Sequence, residues 1–547
     1  MKALFNTIFA GALIVCCASC SKESASPVVE PDQGLDFSVP VSLKARIAND
    51  PGSKATLGEA TGAFTFSNTD AIKVYNGSDT YASTGVTIDG SKATFTMASG
   101  FADTGSGFAA FPASSVSGIN GSGVTFNLPS SYTYSQVGGT DPDAALVPCP
   151  MIASYSAGNE LVFKQAGAVV RFLVTNCLAG DLTFTFTSPV TGSVTLNAVP
   201  SGTDDGILSA NLTSQGYSIT VTGVPAVSGS ESFYITLPVP TGTDPINVGV
   251  WNKGESANRV VTKSGTAVPL ARAGGRKRSA PLVDVKDYAT FAGKILAGDL
   301  YYIGNYNYGI AEDPLEVLKY YSVNYTTSGN TGEDGGIKKC FFSWEFLNGK
   351  SFSFTIDGKN YRVPSSGNSG DWAGIAGTAT SRPKAKVKGI EARYAFLTVK
   401  DLAIETYHTS SIGGLLLFPD NAIIAVPSGA KLDVFDAVDG DTYNVTTNNN
   451  TISLSGFRDL INQGCSFIPT AGYWNNSTWY ALYWGQGWYG INEAGSYWSD
   501  SAYSSDHAYA LTILRNHTTY EKPNLIDPSA HDEKSKIYLP VRLIRVP

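Results

Sequence analysis

The sequence predicts a mainly β protein, with two antiparallel β-sandwich domains followed by a domain of α+β type. Between positions 35 and 270, short runs such as FTFSNTDAIKVYNG and YSITVTGV alternate apolar and polar residues. Turn residues separate these runs about every eight to twelve positions, which is typical of sandwiches. After Asp284 aromatic residues become frequent and helix-like segments appear. A chain of 547 residues is also too long for one hydrophobic core.

The N-terminus has the pattern of an export signal. Lys2 precedes an apolar run from Leu4 to Val15 that is too short to span a bilayer, and small residues then precede Cys20. This ending resembles a bacterial lipobox, which implies that residues 1–19 are removed and that Cys20 receives a lipid anchor in the outer membrane. The alternatives are that Cys16 or Cys17 is the lipidated residue, or that the segment is an ordinary secretory signal. Residues 20–34 are rich in Ser, Pro and acidic residues, which predicts a flexible tether.

Four further segments complete the predicted organisation. Residues 35–157 and 158–270 form the two sandwiches. Residues 271–283, ARAGGRKRSAPLV, are predicted as an exposed basic linker that trypsin-like proteases cut. Residues 284–547 form the third domain, with helices predicted at Ala311–Tyr321 and at Ser455–Gly464, the latter capped by Ser455.

Charge and cysteine usage exclude several functions. A net charge of −8 and a pI near 5.2 argue against a nucleic-acid partner, because no basic surface is large enough to neutralise a phosphate backbone. The cysteines after Cys20 show no C-x-x-C and no zinc-ligand spacing, so we expect no such metal site; they are Cys149, Cys177, Cys340 and Cys465. Cys340 and Cys465 either form a disulfide or remain buried thiols.

The first two domains resemble the fimbrillin family of lipoprotein-precursor pilins from Bacteroides-type bacteria. The segments that carry this resemblance are FSVPVSLKARIANDPGSKATL, FTFSNTDAIKVYNG and LVFKQAGAVVRFLVTN, in that order. The resemblance implies that a surface protease cuts after a basic residue behind the first strand. A strand from the next subunit then fills the opened groove by β-augmentation.

The processing site departs from the family pattern. Lys54 occupies the place where the family usually has Arg, and Arg46 lies eight residues upstream, inside the predicted strand. Three alternatives stay open: cleavage at Arg46, cleavage at Lys54 by a Lys-specific enzyme, or no processing.

The third domain resembles the C-type-lectin-like domains of bacterial surface proteins, of the Fibrobacter-type major paralogous group. The matching segments are YRVPSSGNSGDW, GGLLLFPDN, CSFIPTAGYW, GSYWSDSAYSSDHAYALTI and YLPVRLIRV. This resemblance implies that Trp498 belongs to the core. The calcium-binding tripeptides of animal lectins are not convincingly present, so no cofactor is expected. A structural calcium bound by Asp420, Asp500 and Asp506 is an open alternative, although nothing in the spacing of these residues requires it.

The stretch from Tyr473 to Trp498 is the candidate ligand-binding segment. It holds five of the eight tryptophans, interleaved with Asn and Gly residues. Flat apolar rings beside amide groups suit sugar rings, which present C–H faces and hydroxyls. A self-packed structural loop is the alternative. The candidate binding residues are Trp474, Trp479, Trp484, Trp488, Tyr489 and Asn492.

Together, the two resemblances imply a surface-exposed fimbrial subunit, at the tip or in a minor position. Its predicted partners are other pilus subunits through strand exchange, and a host or microbial surface glycan or protein. The alternative is a stand-alone, surface glycan-binding lipoprotein. Formylglycine-generating enzymes share a related fold, but their working thiols form a close pair, whereas Cys340 and Cys465 are far apart. The four histidines lack a catalytic motif, so we expect no enzyme activity.

Overall fold

The architecture comes from a computed structural model of the chain. It describes residues 41–48, 66–141, 149–254, 258–263, 265–284, 299–304, 307–311, 314–315, 337–338, 341–366, 371, 384–403, 410–432, 450–470, 473–475, 478–480, 483–484, 487–488, 494–514, 525–534 and 537–546. The described part of the chain is mainly β, as the sequence predicts. Among these residues no helix is both long and apolar enough to cross a bilayer.

The first unit is built around a closed barrel. Strand order in the barrel is β1-β11-β10-β5-β2-β3-β4. Phe66 lies in its centre and contacts the rings of Phe95, Phe111 and Phe163 edge-on. The strands of this part of the chain are β1 (Ser42–Ile47), β2 (Lys73–Tyr75), β3 (Thr80–Asp89), β4 (Lys92–Met97), β5 (Ser106–Phe111), β6 (Val116–Asn120), β7 (Gly123–Leu128), β8 (Ser131–Thr133), β9 (Gly138–Gly139), β10 (Met151–Ser156) and β11 (Leu161–Gln165), with helix α1 (Tyr134–Val137) after β8.

The second unit is a β-sandwich. One sheet has the order β20-β12-β17-β9 and the other β21-β19-β18-β13-β16-β8. Buried Phe172 and Phe184 meet between the sheets with ring centroids 4.5 Å apart. Its strands are β12 (Ala168–Cys177), β13 (Gly180–Phe186), β14 (Thr191–Leu196), β15 (Thr213–Gly216), β16 (Ser218–Val224), β17 (Val227–Val239), β18 (Val248–Lys253), β19 (Asn258–Lys263), β20 (Gly275–Pro281) and β21 (Val283–Asp284).

The two units share sheets. β7 pairs with β14 in a four-stranded sheet. β8 is the last strand of the six-stranded sheet of the second unit, and β9 is the last strand of its other sheet. A cluster of buried residues from both units, including Phe126, Ile152 and Leu196, lies under the shared sheet. The predicted boundary at 157/158 therefore does not separate the sheets, because strands before it complete the second sandwich.

The predicted basic linker was wrong for most of its length. Gly275–Pro281 forms β20, which pairs in parallel with β12 along seven residue positions. Arg272 is 4% exposed, and its Nε donates to the carbonyl of Gly202 at 2.7 Å. Because the segment is paired and anchored, it belongs to the second sandwich.

The C-terminal unit contains two hydrophobic clusters. One includes Phe457 and Phe467, and the other includes Phe342, Trp498 and Leu539. Its elements are β22 (Asp299–Gly304), β23 (Asn307–Ala311), β24 (Ile337–Lys338), β25 (Phe341–Ser343), α2 (Trp344–Gly349), β26 (Ser353–Ile356), β27 (Lys359–Arg362), β28 (Ala385–Val387), β29 (Ile390–Ala392), β30 (Tyr394–Lys400), β31 (Ser411–Leu417), β32 (Ile423–Ile424), β33 (Thr451–Ser453), α3 (Leu454–Asn462), β34 (Ser466–Pro469), β35 (Tyr473–Asn475), β36 (Thr478–Tyr480), β37 (Tyr483–Trp484), β38 (Gly487–Trp488), β39 (Ala494–Ala502), β40 (His507–Leu514), β41 (Leu525–Glu533), β42 (Ile537–Leu539) and β43 (Ile544–Arg545).

Helix α3 lies where the sequence predicts a helix, but it begins earlier. Its N-cap is Ser453, whose hydroxyl accepts a hydrogen bond from the amide of Gly456, so the predicted cap at Ser455 was wrong. Gly464 follows the helix with φ of 91°, a conformation that favours glycine. Most of the helix predicted at 311–321 lies outside the described residues.

Candidate functional site

Strand β1 lies between two other strands of the barrel. It pairs antiparallel with β4, from Ser42 opposite Thr96 to Arg46 opposite Lys92. On its other edge it runs parallel to β11, with Ala45 opposite Leu161. Both backbone edges of β1 are therefore in use, and the barrel is closed through it.

The side chains of β1 alternate between the core and the surface. Leu43 is 3% exposed and Ala45 is fully buried, and both belong to the barrel core. Ser42 and Lys44 face outward. This period of two matches a strand with one buried face. It places one large and one small apolar side chain two positions apart.

Arg46, one candidate processing residue, is held in a surface ion cluster. Its Nε donates to Glu160 Oε2 at 2.9 Å, and Lys92 Nζ lies 3.4 Å from Glu160 Oε1. Desolvation raises the pKa of the Glu160 carboxyl, but hydrogen bonds from Arg46 and Lys92 outweigh it and hold that pKa below its usual value. The Ala48 amide donates to the Phe163 carbonyl at 2.7 Å, so pairing continues past Arg46. The Arg46 peptide bond therefore lies within the paired backbone of the folded barrel.

Sequence reasoning did not identify Glu160. It lies 114 positions from Arg46, and no local pattern links two residues across that separation. The other processing candidate, Lys54, and the lipidation candidate, Cys20, lie outside the described residues.

The aromatic segment forms two short hairpins rather than one loop. β35 pairs with β36, and Trp474 and Trp479 are register partners. β35 also pairs with β42, which joins this hairpin to a five-stranded sheet. β37 and β38 form the second hairpin, with Tyr483 opposite Trp488 and Trp484 opposite Gly487. Tyr489 and Asn492 lie outside the described residues.

Trp498 lies in the core of the C-terminal unit. It is fully buried, and its Nε1 donates to the Phe342 carbonyl at 2.8 Å. The last tryptophan of the aromatic stretch therefore has a structural role, which agrees with the expectation from the resemblance.

The YRVPSS segment is fixed by an ion pair. Arg362 Nη2 donates to Asp371 Oδ1 at 2.9 Å, and the Ser365 amide donates to Asp371 Oδ2 at 2.8 Å. Burial raises the pKa of the Asp371 carboxyl, but hydrogen bonds from Arg362 and Ser365 outweigh it and lower the pKa. For Asp500 the balance is reversed, and desolvation raises its pKa.

The described residues contain no group of three or more Asp, Glu, His or Cys side chains that suits a metal ion. Asp420, Asp500 and Asp506 are therefore not assembled into a carboxylate cluster. Because all three lie within the described part of the chain, their positions give a structural calcium no support.

Three cysteines are buried free thiols. Burial raises the pKa of Cys149 and of Cys177 to about 12, and it also raises the pKa of Cys465. Thiols with such pKa values remain protonated at neutral pH and are poor nucleophiles. Cys465 is free, whereas Cys340 lies outside the described residues.

No family model matches the chain, and comparison with curated proteins finds no match. The solved structures that resemble it include three that are each described as a putative cell adhesion protein. The protein from Bacteroides ovatus ATCC 8483 is 13% identical with a TM-score of 0.25, and the match covers 45% of this chain and 95% of the Bacteroides ovatus chain. The Bacteroides uniformis ATCC 8492 protein is 13% identical with a TM-score of 0.27, covering 47% and 97%. The Bacteroides fragilis NCTC 9343 protein is 11% identical with a TM-score of 0.25, covering 45% and 96%. Likeness at this level carries no argument about activity.

Proposed function

We propose that this chain is a surface-exposed fimbrial subunit, at the tip or in a minor position, that joins a fibre by strand exchange at β1 and adheres through its C-terminal unit. The observation that carries the proposal is the position of β1. This strand is paired on both edges, and residues 49–65 separate it from the next described part of the barrel. Its removal would open the barrel at one defined place.

The opening would be an acceptor for another strand. Without β1, β4 and β11 would each present an unpaired backbone edge, and the space filled by Leu43 and Ala45 would be exposed. Unpaired edges and exposed apolar space favour the addition of an extended segment from another chain. Burying one Leu side chain contributes about 1.5 to 3 kcal/mol, so a donor with the right pattern would bind favourably.

The geometry of β1 defines the donor strand. A donor needs a large apolar residue at the position of Leu43 and a small residue at that of Ala45, which is fully buried. A cation at the next position would replace Arg46 beside Glu160. The donor would run antiparallel to β4 and parallel to β11.

The adhesive part of the proposal rests on the aromatic hairpins. Their backbones are paired in defined register, which would hold Trp474, Trp479, Trp484 and Trp488 on a preorganised frame. Such a frame suits a surface glycan or protein, with Tyr489 and Asn492 as further candidates. The lipid on Cys20 would hold the precursor in the outer membrane before processing.

A stand-alone surface glycan-binding lipoprotein is the second candidate. The observation that favours it is the engagement of β1, since Arg46 lies in a paired strand and in the ion cluster with Glu160. If the chain is never cut at or after β1, it would stay attached to the membrane by its lipid and would not assemble into a fibre.

Strand exchange can be tested with a chain cut on demand. Residues 49–54 are replaced by the site of a sequence-specific protease, the purified chain is cut, and a fluorescent peptide of residues 41–48 is added. We expect the peptide to enter the barrel while the released N-terminal segment leaves. A matched peptide carrying Leu43→Asp should not enter, because the buried position rejects a charge. If the cut chain keeps its own strand and neither peptide enters, the stand-alone alternative is favoured.

A further inference from the structure

The outer face of the six-stranded sheet of the second unit is covered by the C-terminal unit. Gly249 on β18 lies so close to β32 that an added Cβ would come within 2.4 Å of the Ile423 carbonyl oxygen. Gly249 does not have a positive φ, so backbone conformation does not require glycine there. Because Gly249 has no side chain, the backbones of the two units can approach each other closely.

A second contact lies at a turn. Gly389, between β28 and β29, has φ of 76°, and an added Cβ would lie 2.6 Å from the Thr187 carbonyl oxygen and 3.8 Å from the Tyr217 ring. Thr187 follows β13 and Tyr217 precedes β16, so this contact lies on the same sheet as Gly249.

An ion pair forms a third contact. Lys253 Nζ at the end of β18 lies 3.0 Å from Asp459 Oδ1 on α3, although the two residues are 206 positions apart. The same ammonium lies 5.9 Å from the ring centroid of Trp251. An exposed ion pair contributes little free energy, so this contact mainly orients the two surfaces.

The surfaces between these contacts are closely packed. A cavity of about 10 Å³ lies between them, which is at the lower limit for one water molecule. Its lining combines both units and includes Trp251, Val260, Ile423 and Gln463. Gln463 Oε1 accepts a hydrogen bond from the Ala425 amide and its Nε2 donates one to the Ala425 carbonyl, so this lining side chain is held in place.

We propose that this face is a permanent intramolecular docking surface, which makes the second sandwich and the part of the C-terminal unit around β32 and α3 one rigid body. The contacts at Gly249, at Gly389 and between Lys253 and Asp459 fix the two units at three separate places. Neither glycine position has room for a side chain. The C-terminal unit is therefore oriented by packing and not by the length of the connecting residues 285–298. Docking of the two units requires neither strand exchange nor ligand binding.

The test cuts the chain between the two units and measures whether the docking surface alone keeps the two pieces associated. A specific protease site is introduced within residues 285–298 of the full chain, the chain is cut, and the fragments are analysed by size-exclusion chromatography and native mass spectrometry. We expect the two pieces to remain together at micromolar concentration. Separation of the unmodified pieces would overturn the proposal.

Two sets of variants sharpen the test. Gly249→Val should weaken association more than about tenfold, because the added side chain has no space, whereas Gly85→Val should have no effect. Gly85 is also a strand glycine, but the nearest atom to its added Cβ is 3.9 Å away. Lys253→Glu should weaken association about fivefold, and adding Asp459→Lys should restore it, which a folding defect would not do. Equal association of the Gly249→Val and unmodified chains would also overturn the proposal.

Discussion

Replacing Trp498 with Ala should destabilise the C-terminal unit strongly. The ring is fully buried in the cluster with Phe342 and Leu539, and its Nε1 donates to the Phe342 carbonyl. Removal of a buried Trp side chain typically costs about 3 to 5 kcal/mol, and leaving the carbonyl without a donor adds about 1 kcal/mol. We therefore expect a loss of about 5 kcal/mol, which is comparable to the whole stability of a marginal domain.

Hydrogen exchange measured by mass spectrometry on peptides from β39 and β40 reports this loss as a lower free energy of local opening. Tyr503→Ala is the matched control, since Tyr503 is 52% exposed and the change should be within about 0.5 kcal/mol. Trp484→Ala and Trp488→Ala should abolish binding to a glycan array while changing the opening free energy by less than about 1 kcal/mol. A similar large loss of stability in all three tryptophan variants would refute the assignment of the hairpins as a binding platform.

Three further predictions concern other parts of the chain. Leu43→Ala should lower the stability of the uncut barrel by about 2 to 5 kcal/mol in calorimetry, while Ser42→Ala on the outer face should be near neutral. Trypsin should spare Arg276, Lys277 and Arg278 in the native chain, because β20 is paired; rapid cleavage there, detected by mass spectrometry, would restore the linker interpretation. Asp371→Asn should lower stability at neutral pH by about 1 to 2 kcal/mol, because the lowered pKa of Asp371 means that its carboxylate stabilises the folded state. That contribution is present above the unfolded pKa of about 3.9 and is lost as pH falls through the folded pKa, so the two chains should converge in acid denaturation curves; a constant difference would contradict the ion pair.

Local patterns predicted the strands well but not how they pair. Alternation identified runs such as β4 and β16, because a half-buried strand shows period two in its own sequence. The sharing of β7, β8 and β9 between units depends on contacts between residues far apart in the chain, which no local pattern contains.

The prediction of a linker at residues 271–283 was wrong because most charged residues of this segment lie on an edge strand. Arg276 and Lys277 are exposed, and within β20 only Gly275 and Ala280 are buried, so the apolar content of this strand is too low to indicate it from the sequence. Charged residues on an edge strand also protect it from pairing with other chains, and composition alone does not distinguish this role from that of a linker.

Part of the candidate site was predictable from the sequence. The sequence places Arg46 inside the first strand, and the structure has it there, but its partner Glu160 was not predictable. The aromatic stretch was recognised from its composition, whereas its division into two hairpins depends on pairing with β42 and between short strands. The core role of Trp498 was implied by the resemblance and agrees with its burial.

In the assembly we propose, β1 leaves its own barrel and a strand from another subunit replaces it. Mass spectrometry of the N-terminus of the chain, isolated from fibres sheared from the cell surface, tests this most directly. We predict a mature N-terminus at Ala55, or at Ile47 if Arg46 is cut, with peptides of Ser42–Arg46 missing from the fibre material. A chain that retains these residues behind a lipidated Cys20, and that is found only as a monomer in the membrane fraction, would contradict it.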